Sequence, residues 1–183
     1  MKTLTSQKNI PQDWQVKKLS DICLSFKTGK LDANAMVENG QYRFYTCAKD
    51  YYFIDKYAFD TEALLVSGNG ANVGYIHHYK GKFNAYQRTY VLDNFTTDIF
   101  FTKYLLDNFL AKRINDEKRS GNTPYITMDT LTDMFVAVPK SQIEQQKIAT
   151  ILTSVDNEIE KIDEVIKKTE EMKKGLMEKL FNP

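Results

Sequence analysis

Residues suited to touching an anion or a nucleobase gather in a few short runs. Residues 67–74 read Ser67-Gly68-Asn69-Gly70-Ala71-Asn72-Val73-Gly74. Glycines there permit a sharp turn and bring backbone N–H groups close to an anion such as phosphate. Asn69 and Asn72 carry amides that can hydrogen-bond base edges. The third glycine falls one residue late for a dinucleotide fingerprint, and no Lys-Ser/Thr ending completes a nucleoside-triphosphate loop. An anion cradle and a tight hairpin that needs positive φ both stay open. Tyr42-Arg43-Phe44-Tyr45, Tyr86-Gln87-Arg88 and Lys118-Arg119-Ser120-Gly121-Asn122-Thr123 mix aromatics, bases and amides. Lys and Arg suit phosphate oxygens, and Gln, Asn and Arg suit base edges in a major groove. Any one of these runs taken alone is equally a solvated surface.

Catalytic patterns are not legible. No pair of carboxylates stands in a context that marks a general acid and base, and no G-x-S-x-G elbow occurs. Asp116-Glu117-Lys118 fits a fragment of a metal-dependent nuclease, but no acidic residue on a preceding strand completes it. Four prolines with no Pro-Pro pair lack the Pro-Pro-aromatic signature of amino-methylating enzymes. Cys23 and Cys47, with the adjacent His77 and His78, give no zinc spacing. No catalytic residue, metal or cofactor is expected, so any chemistry must come from another polypeptide.

A chain of 183 residues suffices for one domain with an appendage. Its 42% hydrophobic and 27% charged residues are those of a globular protein. No run approaches a membrane span and the N-terminus has no apolar signal core, which predicts a cytoplasmic protein with reduced, structural cysteines. Residues 1–139 hold 17 Lys and Arg against 15 Asp and Glu, and residues 140–183 hold 8 against 9. Neither balance is a nucleic-acid signature; a basic face would have to come from arrangement.

The elements that carry these runs form a mixed, strand-rich α+β head. Strands are expected at 42–45, 51–54, 63–66, 73–77, 85–92, 125–128 and 135–138, with a helix at 99–115 packing one face on the sheet. Residues 19–25 suit a short helix or strand, and 130–134 a turn or short helix. Lys80-Gly81-Lys82 reads as a turn. After Pro139, Ser141 and Glu144 have the spacing of a capping box, opening one amphipathic helix over 142–180. Ile148, Leu152, Val155, Ile159, Ile162 and Ile166 recur at four and three, the seam of a helix that packs on another helix. The stripe weakens where Thr169 and Lys173 fall on it, and Leu176 and Leu180 resume it. So long a helix with a narrow apolar stripe needs a partner, expected to be a second copy or another helical protein rather than its own head.

Together these features resemble the specificity subunits of Type I restriction-modification systems, in a half-length form with one target-recognition domain (1–139) and one conserved spacer or dimerisation helix (140–183), a coiled-coil element. The resemblance rests on Ile10-Pro11 to Trp14 with Leu19; Ala63-Leu64-Leu65-Val66-Ser67 leading into the glycine loop; Tyr86-Gln87; Ser120-Gly121-Asn122-Thr123; and Phe135 to Pro139. It continues in Ile143-Glu144-Gln145-Gln146-Lys147-Ile148-Ala149 with Ile151-Leu152, the most specific stretch, and ends in Lys174 to Phe181. The family pattern has two such units in tandem, each reading half of a bipartite DNA site, with their helices packed antiparallel as a spacer. This chain holds one unit. The resemblance therefore implies a non-catalytic subunit that binds double-stranded DNA, forms a homodimer or joins a second half-subunit, docks methyltransferase (M) subunits on its helices and through them meets a restriction (R) subunit. Asn69, Asn72, Gln87, Arg88, Lys118, Arg119, Asn122 and Thr123 are the candidate DNA contacts. The alternative is a helical adaptor that never touches DNA.

Overall fold

Aromatic and β-branched residues crowd the stretch from Tyr42 to Phe95, and there the chain forms strands. The computed structural model describes residues 10–117 and 123–181. A six-stranded sheet is built from β2 (Cys23–Thr28), β3 (Tyr42–Tyr45), β4 (Tyr52–Ile54), β5 (Phe59–Ser67), β6 (Ile76–Ala85) and β7 (Thr89–Phe95), in the order β2-β7-β5-β6-β3-β4. Every pairing is antiparallel except β3 with β6. β1 (Trp14–Lys18) pairs apart from this sheet with β8 (Phe135–Pro139), in register from Trp14↔Pro139 to Lys18↔Phe135. The two ends of the head are thus tied together immediately before the last helix begins.

The central ribbon of β5 and β6 corrects two expectations. Lys80-Gly81-Lys82 is no turn: Thr61 pairs with Gly81 in an unbroken register from Phe59↔Phe83 to Val66↔Ile76. Gly81 takes φ +131 inside the ladder, a bend open to a residue without Cβ. The strand expected over 85–92 is broken instead, because Tyr86, Gln87 and Arg88 make the turn between β6 and β7, closed by the Thr89 N–H on the Tyr86 carbonyl at 2.8 Å. The ribbon curls until the Tyr45 ring meets His77, Tyr79 and Phe83 at centroid distances of 5.0, 5.6 and 5.9 Å. Beyond β2, Leu31 bridges to Tyr86, so the sheet closes towards a barrel.

One core fills the outer side of this sheet. Leu64, Val66, Tyr90 and Leu92 pack there against Phe101, Leu105, Leu106 and Leu110 of α2 (Ile99–Glu117), with Leu19 and Ile22 of α1 (Leu19–Ile22) and Leu131 of α3 (Met128–Thr132). The strand expected over 125–128 reduces to a single bridge, Asn69↔Tyr125, before α3 starts. A second, smaller core of Tyr45, Ala63, Leu65, Phe83, Ala85 and Val91 lies inside the curl. Cys23 and Cys47 are free, as expected, and burial pushes the Cys23 thiol up to about 11.

The last helix, α4 (Gln142–Phe181), runs 40 residues without a break, about 60 Å at roughly 1.5 Å per residue. The Glu144 carboxylate does not turn back on the helix start as a capping box would have it; Oε1 accepts the Trp14 indole N–H at 2.8 Å. The buried Gln145 amide donates to the Pro139 carbonyl at 2.9 Å and accepts from the Asp98 N–H at 3.0 Å. One turn and then two further on, Ala149 is buried and Tyr104 Oη meets Thr153 Oγ1 and Asp156 Oδ2 at 3.2 and 2.7 Å. This row faces the head. The apolar stripe lies roughly 100° round the helix from it, so the head docks without covering the stripe. Ile148, counted into the seam, is an exception, packing partly on the head's core. Leu152, Val155, Ile159, Ile162, Ile166, Leu176 and Leu180 are all exposed. Among the described residues no helix is long and apolar enough to cross a membrane.

Candidate nucleic-acid interface

The glycine loop is made by its own backbone. Ser67 ends β5 and Ile76 begins β6; between them the Val73 N–H donates to the Gly70 carbonyl, Gly74 to Ser67 and Tyr75 to Asn72, at 3.1, 2.8 and 3.0 Å. Gly70 and Gly74 hold φ of +80 and +84. The Gly68 N–H is spent on the Arg88 carbonyl at 2.8 Å and that of Gly70 on Pro124 at 2.9 Å. N–H groups committed to carbonyls are not available to an anion, so these five hold the hairpin connection between β5 and β6 rather than a ligand. Gly68 lies so close to the next turn that a Cβ would sit 2.2 Å from the Arg88 oxygen. We expect Gly68→Ala to cost about 1–3 kcal/mol, as forced overpacking does, and to spread the loop from the Gln87-Arg88 turn. Chemical denaturation checks this, and an unchanged midpoint would contradict it.

These bonds draw four distant segments together. The Cys47 Sγ lies 3.5 Å from the Arg88 carbonyl, Asn72 Nδ2 donates to the Cys47 carbonyl at 3.1 Å, and His77 Nε2 stands 3.0 Å from the Ala48 carbonyl. The Ile126 N–H donates to the Gly68 carbonyl at 2.9 Å, and the Gln87 N–H to Leu31 at 2.9 Å. Residues 46–51, 68–75, 86–88 and 123–126 therefore form one cluster on one side of the sheet. Gln87, Arg88 and Thr123 are exposed in it and Asn69 is half-buried. Asn72 is in the cluster, but its amide braces the loop and is only partly accessible. Lys118, Arg119 and Asn122 lie outside the described residues.

Sequence reading passed over the aromatic ground beside this cluster. Tyr51, Tyr75 and Tyr125 are exposed. The Tyr75 ring meets His77 at 4.8 Å, His77 meets Tyr45 at 5.0 Å, and Tyr45 meets Tyr51 at 6.1 Å. Burial holds the His77 imidazole below its ordinary range and pushes the Tyr45 phenol up. The alternation of Arg43 with Tyr45 was the available signal. It acquires meaning only once β3, β4 and β6 lie side by side.

The nuclease fragment resolves differently. The Glu117 carboxylate is held by Arg113 at 2.9 Å and by the Thr130 hydroxyl at 2.7 Å, joining α2 to α3. Among the described residues no group of three or more His, Cys, Asp or Glu is placed to hold a metal ion.

A strand-rich head that gathers its loops on one side, set on a helix that projects beyond it, is the class of architecture the geometry defines. The chain belongs to the family described as "Type I restriction modification DNA specificity domain", whose profile matches residues 11–170. It is 40% identical over 166 residues to the EcoDI specificity subunit of Escherichia coli, across 87% of this chain and 36% of that one. To the MjaVIII specificity subunit of Methanocaldococcus jannaschii it is 26% identical over 186 residues, across 94% and 43%. The fold is shared with the S subunit from M. genitalium, with a TM-score of 0.70 at 20% identity over 91% of this chain and 45% of that one. It is shared also with the HsdS subunit from Thermoanaerobacter tengcongensis, with a TM-score of 0.64 at 15% identity over 88% and 42%. The chain spans less than half the length of each of these relatives.

Proposed function

We propose that this chain is a non-catalytic DNA-recognition subunit that reads one half of a bipartite site with its loop cluster and uses α4 to hold that head at a set distance from a second one. The observation that carries this is the convergence of Asn69, Asn72, Gln87, Arg88 and Thr123, far apart in sequence, on one partly exposed side of the head. Phosphate contacts supply most of the affinity and base contacts the selection, each good bidentate pair contributing roughly 1–3 kcal/mol. The exposed stripe of α4 is the seam for a second copy or a second half-subunit. Methyltransferase subunits dock on the paired helices, and a restriction subunit joins through them. Two identical heads read a split palindrome, with the rod setting the unspecified gap. Methylome sequencing of cells that carry this chain with its methyltransferase should return two inverted half-sites; a single contiguous, asymmetric motif would count against the arrangement.

The direct test is charge reversal at Arg88 and Arg119, read by gel shift with the methyltransferase present. The double variant is expected to lose duplex affinity at least tenfold and to show a shallower dependence on salt, as loss of phosphate contacts requires. An adaptor that never touches DNA would keep its full function through both changes.

A further inference from the structure

Of the arginines in the described residues, Arg43 is held in an unusual way. Its guanidinium lies over the Tyr51 ring at 4.2 Å and over the Tyr79 ring at 4.7 Å, and Nη1 donates to Tyr45 Oη at 3.3 Å. Among the described residues no carboxylate forms an ion pair with it. Arg113, by contrast, is ion-paired to Glu117 at 2.9 Å. Two strands and a loop build this clamp: Arg43 and Tyr45 stand on β3, Tyr79 on β6, and Tyr51 in the loop at the entrance to β4. Cross-strand pairing of Arg43 with Phe53 and Phe83 fixes the register that brings them together.

A cation between two aromatic rings is stabilised through their faces, while its N–H edge lies in the plane between them. One N–H is spent on Tyr45; the rest of the fork is held in a fixed direction before any ligand arrives. Fixing a long side chain in advance removes the ordering cost that an exposed lysine or arginine meets on binding. The natural complement of such a fork is a tetrahedral oxyanion that accepts two parallel hydrogen bonds. The clamp is also continuous with the loop cluster, because Tyr51 closes the same segment in which Cys47 anchors Asn72 and Ala48 anchors His77.

The geometry points to Arg43 as a preorganised contact to a phosphate of the DNA backbone, flanking the recognition loops. This inference rests on the reading of the loop cluster as a DNA interface. It assigns Arg43 the task of setting the head's position on the duplex, and leaves selection to the loops.

The test is a salt titration of a fluorescein-labelled mixed-sequence duplex with the full chain, its methyltransferase and Arg43→Gln or Arg43→Lys. Arg43→Gln should weaken binding about tenfold on every sequence tried and lower the salt slope by about one. Arg43→Lys, which keeps the charge, should keep the slope. Equal affinity and slope for Arg43→Gln would overturn the inference while leaving the interface reading in place. Loss on some sequences only would overturn it in favour of a base contact. A native complex that ignores duplex DNA even at low salt would instead bring down the interface reading itself. Should Arg43→Gln fail to fold, the native complex answers by arginine modification. Duplex must slow the phenylglyoxal reaction of Arg43 and leave that of Arg113 unchanged, and equal slowing or none would overturn the assignment.

Discussion

If the α4 stripe pairs with a second copy as proposed, Ile159→Glu is expected to convert that pair to a lone protomer whose head unfolds at the native temperature. Ile159 is 51% exposed and stands in the middle of the α4 stripe, with Ile162 next along it at 57%. From Ser154 to Phe181 no residue of α4 is buried by the head, so the substitution cannot act through the head's core. Burying one isoleucine stabilises a contact by roughly 1.5–3 kcal/mol, and in a two-fold pair each change counts twice. A carboxylate placed there adds the cost of desolvating an unpaired charge. Ile162→Glu should behave alike, whereas a change on the solvent face, such as Lys167→Glu, should not. Sedimentation equilibrium decides the matter: a variant still at the mass of a pair would refute the seam.

Gln145→Met should cost about 2–5 kcal/mol in chemical denaturation, although the two side chains have nearly the same shape. Gln145 is 4% exposed and joins three elements: its amide donates to the Pro139 carbonyl at the end of β8 and accepts from the Asp98 N–H just before α2. Methionine fills the volume but satisfies neither group, and each buried orphan costs about 1–3 kcal/mol. The same bonds set the angle at which the rod leaves the head. With Trp14 on Glu144 and Tyr104 on Asp156 they form a fixed joint over the first turns of α4. Small-angle scattering of the variant should therefore show a wider spread of head–rod angles. A variant as stable as the native chain, with unchanged scattering, would show that the joint is held by apolar packing alone.

How far these features could be read in advance differs from element to element. Residues 142–180 were legible because a four-three spacing of branched aliphatics runs from Ile148 to Ile166, Leu176 and Leu180 resume it and no proline intervenes; α4 spans Gln142–Phe181. The helix at 99–115 was legible because apolar residues at Phe101, Tyr104, Leu105, Phe109 and Ile114 suit one helical face, and α2 adds two residues at its end. The ribbon was harder. A glycine with positive φ serves a turn or a bend within a strand equally well, and only pairing with Thr61 made Gly81 a bend. Tyr86-Gln87-Arg88, rich in residues that favour neither choice, became a turn because β7 must return to pair with β5.

The candidate site was legible as a set of residue types and not as a place. Amides, bases and glycines named Asn69, Asn72, Gln87, Arg88 and Thr123, since hydrogen-bonding capacity belongs to each side chain by itself. That they share one side of the molecule, that Asn72 braces a loop and that Arg43 lies between Tyr51 and Tyr79 are consequences of strand register. Period and composition are local, and through them the chain determined on its own that a strand-rich head precedes a long amphipathic rod. The tertiary structure alone decided which face of that rod the head occupies, because Gln145 and Ile148 are separated by less than a turn and only packing against α2 and β8 selects between their rows.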